Sequence, residues 1–101
     1  MARSNRIPTV TPGELLLEDF LAPAGITRYR LAQATKLPNT RIADIVHGRR
    51  AITADTAVRF ARFFGNSPQF WMNLQADYDL RIALRKLRGR VEREVKPLHA
   101  A

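Results

Sequence analysis

Arginine supplies most of the chemistry this chain could do. Fourteen of its seventeen basic residues are Arg, and a planar guanidinium fork suits phosphate better than solubility alone requires. The charge is also concentrated. Residues 28–62 carry eight basic side chains, among them Arg28, Arg41, Arg49 and Arg50, against only Asp44 and Asp55, a net +6. Residues 81–101 add +5, while residues 1–27 and 63–80 contribute −1 and −2, giving the formal total of +8. That balance predicts a polyanionic partner, either nucleic acid or an acidic membrane face. Other chemistries lack their residues. With no Cys there is no disulfide framework and no thiolate metal site. The two imidazoles, His47 and His99, stand 52 positions apart, so no His-centred hydrolytic constellation is visible. The expectation is a protein that is not an enzyme and takes no cofactor or metal.

The elements that must position these side chains are helical. At 101 residues and 46% hydrophobic, the chain can bury one core but not two. Thr11-Pro12-Gly13-Glu14 reads as an N-cap Thr, Pro at the first helical position and Glu three after the cap. Leu15, Leu16, Leu17, Phe20 and Leu21 follow, until Pro23-Ala24-Gly25 stops the helix. Thr27 opens a second helix, and Asn39 to His47 forms a third, ending at Gly48. A fourth starts at Thr53, runs through Ala57, Val58, Ala61 and Phe64, and ends at Gly65. Ser67 and Pro68 open a fifth and longer one through Trp71 toward Arg88. Five helices with short loops make an all-α domain. Phe60, Phe63, Phe64, Trp71, Leu74 and Tyr78 keep helical spacing and read as core rather than as stacking platforms. The expected organisation is a flexible arm over residues 1–10, the helical domain over 11–90, and a basic tail over 91–101. No apolar run follows Met1 to Asn5, and no apolar stretch is long enough to span a bilayer, so a cytoplasmic location is expected.

Residues 28–47 form two short helices joined by about four residues, with Leu31, Ala32, Leu37, Ile42 and Ile45 as shared contacts and Ala32 the small residue at the crossing. The pattern resembles the helix-turn-helix of phage-repressor-like DNA-binding domains. It departs at two positions. Lys36 stands where the turn usually carries Gly, and Pro38 stands where a Ser or Thr cap is common, so either Pro38 or Asn39 begins the third helix. That resemblance implies base-edge contact for Asn39 with adenine, Arg41 with guanine and the Thr40 methyl with thymine, with Pro38 at the groove entrance. Asp44 would either accept from cytosine or orient Arg41. Thr27 and Arg28 at one helix start, and Arg49 and Arg50 after Gly48, would contact phosphates. The alternative for each is a solvated surface.

Gly48-Arg49-Arg50 together with Ser67-Pro68-Gln69-Phe70-Trp71-Met72-Asn73-Leu74-Gln75, in this order and spacing, is similar to the HigA family of antitoxins, also described as virulence-associated protein I-like regulators. The likeness spans residues 8 to about 85. It implies a small helical homodimer that binds double-stranded operator DNA upstream of its own operon and neutralises a ribonuclease toxin of that operon. A stand-alone transcription regulator and an RNA- or ribosome-binding module are the alternatives. Leu80, Leu84, Leu87 and Val91 form a second stripe, either a dimer seam or internal core. Glu14, Glu18 and Asp19 lie on the first helix, either solvated or facing a basic partner.

Overall fold

The computed structural model describes residues 10–99, so the expected arm over 1–10 lies, apart from Val10, outside the described residues. Six helices stand among them. The first, α1, is continuous but built from three pieces: Pro12–Leu15, a π-helical Leu16–Leu21, and Ala22–Ala24. Its capping box is reciprocal, with Thr11 Oγ1 accepting from the Glu14 N–H at 3.1 Å and Glu14 Oε1 from the Thr11 N–H at 3.0 Å. Pro23 falls inside this helix rather than after it. It has no N–H to return to Asp19, and the Ala22 N–H reaches back five residues to the Leu17 carbonyl. The wider turn lets Leu16, Phe20 and Leu21 share one side, with Leu16 and Leu21 buried and Leu17 left partly exposed.

Helix α2 (Arg28–Thr35) is capped by Thr27, whose Oγ1 accepts from the Arg30 N–H at 3.0 Å. It ends on Lys36, at φ 61°, with the Leu37 N–H bonding the Ala32 carbonyl at 3.0 Å. This is the left-handed closure for which glycine is favoured, and a Lys holding it costs on the order of 1 kcal/mol. Helix α3 (Asn39–Val46) begins directly after Pro38, which occupies the cap position without a side-chain bond; Asn39 is the first helical residue, not the cap. At its other end the His47 ring Nδ1 lies 2.8 Å from the Ala43 carbonyl oxygen, the geometry of a donated N–H adding a second bond to a carbonyl that already accepts the His47 backbone N–H at 3.0 Å.

Helix α4 (Ala54–Phe64) closes on Gly65 at φ 79°, and α5 (Pro68–Lys86) opens on Ser67, whose Oγ accepts from the Phe70 N–H at 3.1 Å. The sixth helix, α6 (Arg90–Glu94), was not anticipated. Gly89 at φ 80° breaks the chain after Leu87 and restarts it, so the boundary expected at residue 90/91 falls inside a helix.

The core gathers Leu16, Leu21, Leu31, Ala32, Ile42, Ile45, Ile52, Ala57, Phe60 and Trp71. Trp71 is its centre. Its ring centroid lies 4.8 Å from that of Phe20, 5.2 Å from Phe60, 5.5 Å from Phe64 and 5.0 Å from Phe70. Its Nε1–H donates to Asn66 Oδ1 at 2.8 Å. Phe60, Phe63, Phe64, Trp71 and Leu74 pack in or against this core, as their spacing predicts, whereas Tyr78 is half-buried outside the cluster. Val58, although apolar and on α4, points to solvent.

Candidate nucleic-acid interface

Helices α2 and α3 cross at Ala32, with Leu31, Leu37, Ile42 and Ile45 buried between them and the rest of the domain. Burying Ile42, Ile45 and Val46 turns the opposite face of α3 outward. Pro38, Asn39 and Thr40 are exposed and Arg41 is half-buried. No side chain caps α3, so its first turn presents backbone N–H groups together with the Asn39, Thr40 and Arg41 side chains.

Asp44 does not orient Arg41. Its Oδ1 accepts instead from Arg49, 3.1 Å from Nε and 3.1 Å from Nη2, and its carbonyl accepts the backbone N–H groups of Arg49 at 2.7 Å and Arg50 at 3.2 Å. The physical reason is the turn at Gly48, whose φ of 78° folds the chain back over the end of α3 and brings Arg49 to Asp44. Asp44 is therefore already an acceptor for an arginine, and the Arg49–Arg50 loop is tied to the outward face of α3. The pair is solvent-accessible, with the Arg49 side chain 61% exposed, so it holds by about 1 kcal/mol or less and can exchange for a stronger anion.

Thr27 and Arg28 are both exposed at the start of α2. The Thr27 oxygen accepts the capping bond, which leaves its hydroxyl hydrogen to donate outward. Arg28, Arg41 and Arg50 make no ion pair or side-chain hydrogen bond with any described residue. Arg59 behaves otherwise. It pairs with Asp55 at 3.1 Å, and its Nη1 donates to the Thr35 carbonyl at 3.0 Å, bracing the α2–α3 turn from α4. No local sequence signal marks this brace, because its two ends are 24 residues apart.

The second stripe does not enter the core. Leu80 is 58% exposed, Leu84 63% and Val91 42%, with Leu87 half-buried. Val91 sits beyond the Gly89 break, on α6, so the stripe spans two helices. Trp71 and Gln75 are the buried residues of α5, and the half from Leu80 onward runs past the core. Glu14 is committed to its capping box, and Glu18 and Asp19 are exposed. Among the described residues no group of acidic or imidazole side chains could hold a metal ion, and no helix is long and apolar enough to cross a membrane.

Comparison with known proteins agrees with this arrangement. Residues 17–71 match the helix-turn-helix family. Virulence-associated protein I of Dichelobacter nodosus is 45% identical over 82 residues, covering 81% of this chain and 76% of that protein. Antitoxin HigA-1 of Vibrio cholerae is 38% identical over 80 residues, covering 79% and 74%. The structure of the Pseudomonas aeruginosa antitoxin HigA with the higBA promoter superposes with a TM-score of 0.84 at 41% identity, covering 89% of this chain and 98% of that one.

Proposed function

The chain belongs to the helix-turn-helix family, among the HigA antitoxins, and on that premise we propose that it is a cytoplasmic, homodimeric operator-binding repressor that also neutralises a ribonuclease toxin of its own operon. The observation that carries the DNA part is the exposed, uncapped first turn of α3 in a fold that a relative presents to promoter DNA. On this reading Asn39 pairs with adenine, Arg41 with guanine and the Thr40 methyl with thymine, while Pro38 lies at the groove entrance. Thr27, Arg28, Arg49 and Arg50 take phosphates on either side and set register without reading sequence.

One such motif reads only a few base pairs, so useful specificity requires two on a palindrome. The exposed stripe of Leu80, Leu84, Leu87 and Val91 is the seam we assign to that dimer, because large apolar side chains in a row favour burial. Light scattering is then expected to give twice 11.5 kDa for the free protein, and Leu80→Asp with Leu84→Asp is expected to halve that mass. A monomer at micromolar concentration would remove the seam.

The DNA reading is tested with a duplex spanning the region upstream of the chain's own reading frame. Asn39→Ala and Arg41→Ala should each lose roughly 10- to 100-fold in preference over an unrelated duplex, on the order of 1–3 kcal/mol per base contact. Arg49→Ala with Arg50→Ala should weaken all duplexes alike and lower the salt slope by about one to two units per protomer. Equal affinity for duplex DNA and RNA would overturn the assignment. For the toxin, coexpression with the adjacent reading frame should relieve growth arrest; no such frame, or no relief, leaves a stand-alone regulator.

A further inference from the structure

Gln75 is a polar side chain on the otherwise apolar face of α5 that carries Trp71 and Tyr78, and it is only 8% exposed. Its Oε1 accepts the backbone N–H of Ile52 at 2.8 Å, and its Nε2 donates to Asp79 Oδ1 at 3.0 Å. Ile52 is itself buried, so this N–H has no water to turn to. The bond falls at one end of the segment that carries Arg49 and Arg50. At the other end the Asp44 carbonyl takes the N–H groups of both arginines. The loop is thus strung between two clamps, one on the helix that presents Asn39 and Arg41, the other on α5. Arg49, Arg50, Gln75 and Asp79 also line one cleft of about 190 Å³, beside Thr11 and Gly13.

We propose that Gln75 is a positioning residue for DNA binding, fixing the Arg49–Arg50 loop against α5 so that its guanidinium groups meet phosphate while the α3 turn meets the bases. The inference rests on the phosphate role assigned above to Arg49 and Arg50. Its geometric reason is direct. Asp44 anchors the loop to α3, and at the second end the buried Ile52 side chain holds the chain to the core while the Gln75 bond fixes the direction of its backbone. Asp79, which orients the Gln75 amide, is one residue from Leu80, so loop placement is also linked to the segment of α5 that carries the exposed stripe.

The test titrates salt from about 50 to 200 mM against the upstream duplex, for the full chain and three variants, alongside thermal melts and mass measurements. Gln75→Leu is expected to remain a folded dimer, bind about tenfold more weakly and lose about one unit of salt slope per protomer. Gln75→Glu combined with Asp79→Asn keeps an acceptor for the Ile52 N–H and reverses the donor in the second bond. It is expected to restore affinity to within about threefold. Asp79→Ala leaves the Ile52 N–H its acceptor while freeing the Gln75 amide, and is expected to lower the slope by a smaller amount. A purely structural Gln75 would reduce the folded fraction and leave the slope alone, so Gln75→Leu with the parental slope overturns the proposal. If Gln75→Leu does not fold, an unchanged slope for Asp79→Ala overturns it instead. A parent chain that ignores the duplex overturns the DNA reading, and this role with it.

Discussion

Gly13→Ala is expected to abolish operator binding and to lower stability by at least about 3 kcal/mol, a large share of the 5–15 kcal/mol that holds a domain of this size. A Cβ at Gly13 would lie 1.8 Å from the Ile45 carbonyl oxygen, 2.7 Å from the Ile45 carbonyl carbon and 2.8 Å from the Val46 Cα. All three are backbone atoms near the end of α3, and both residues are buried. No rotamer change can relieve the contact, so α1 must lift from α3. The first turn of α1 backs the helix that presents Asn39 and Arg41, so the collision displaces the reading turn as well as the core. The cost therefore exceeds the 1–3 kcal/mol typical of an overpacked side chain. A thermal melt and a binding isotherm check it together, and wild-type values in both would show that α1 does not support α3 as described.

Trp71→Ala is the second. Trp71 is fully buried, its ring lies against Phe20, Phe60, Phe64 and Phe70, and its indole N–H is satisfied by Asn66. Removing it opens a cavity where α1, α4 and α5 meet, costing about 3–5 kcal/mol and lowering the melting temperature by about 20 °C. Trp71→Phe should recover more than half of that loss, because it keeps the ring contacts and gives up the bond to Asn66. A shift of only a few degrees for Trp71→Ala would mean that the aromatic cluster is not the centre of stability.

The two results bear on how much the residues declare by themselves. Local signals were legible: the Thr11 capping box, the Thr27 and Ser67 caps, the Gly65 stop and the Ala32 crossing all depend on residues a few positions apart. So was the outward set Pro38, Asn39, Thr40 and Arg41, since the apolar spacing of Ile42 and Ile45 leaves that side to solvent. Lys36 was recognisable as an oddity, and its left-handed conformation is the reason. What escaped depends on distance or on backbone detail. The π-helical turn in α1 follows from how Pro23 is accommodated, which composition does not specify. Val58 carries a core-type side chain on the solvent side of α4. The Gln75 clamp and the Arg59 brace join residues 23 and 24 positions apart. A signal for the clamp existed, because Gln75 interrupts the apolar spacing between Trp71 and Tyr78. The close approach at Gly13 left no signal, since its need is for space against another helix and not for an unusual backbone angle.

The Asp44–Arg49 pair changes how the protein's charge is felt by DNA. In the free chain Asp44 is a built-in counter-ion for Arg49. On the phosphate role proposed above, docking becomes an exchange, one anion for another, and not the discharge of a bare cation. On the same reading Arg50, with no such internal anion, is expected to contribute the steeper part of the salt dependence. On that reading, of two adjacent arginines in the same loop, one supplies electrostatic pull and the other a latch that an incoming anion opens.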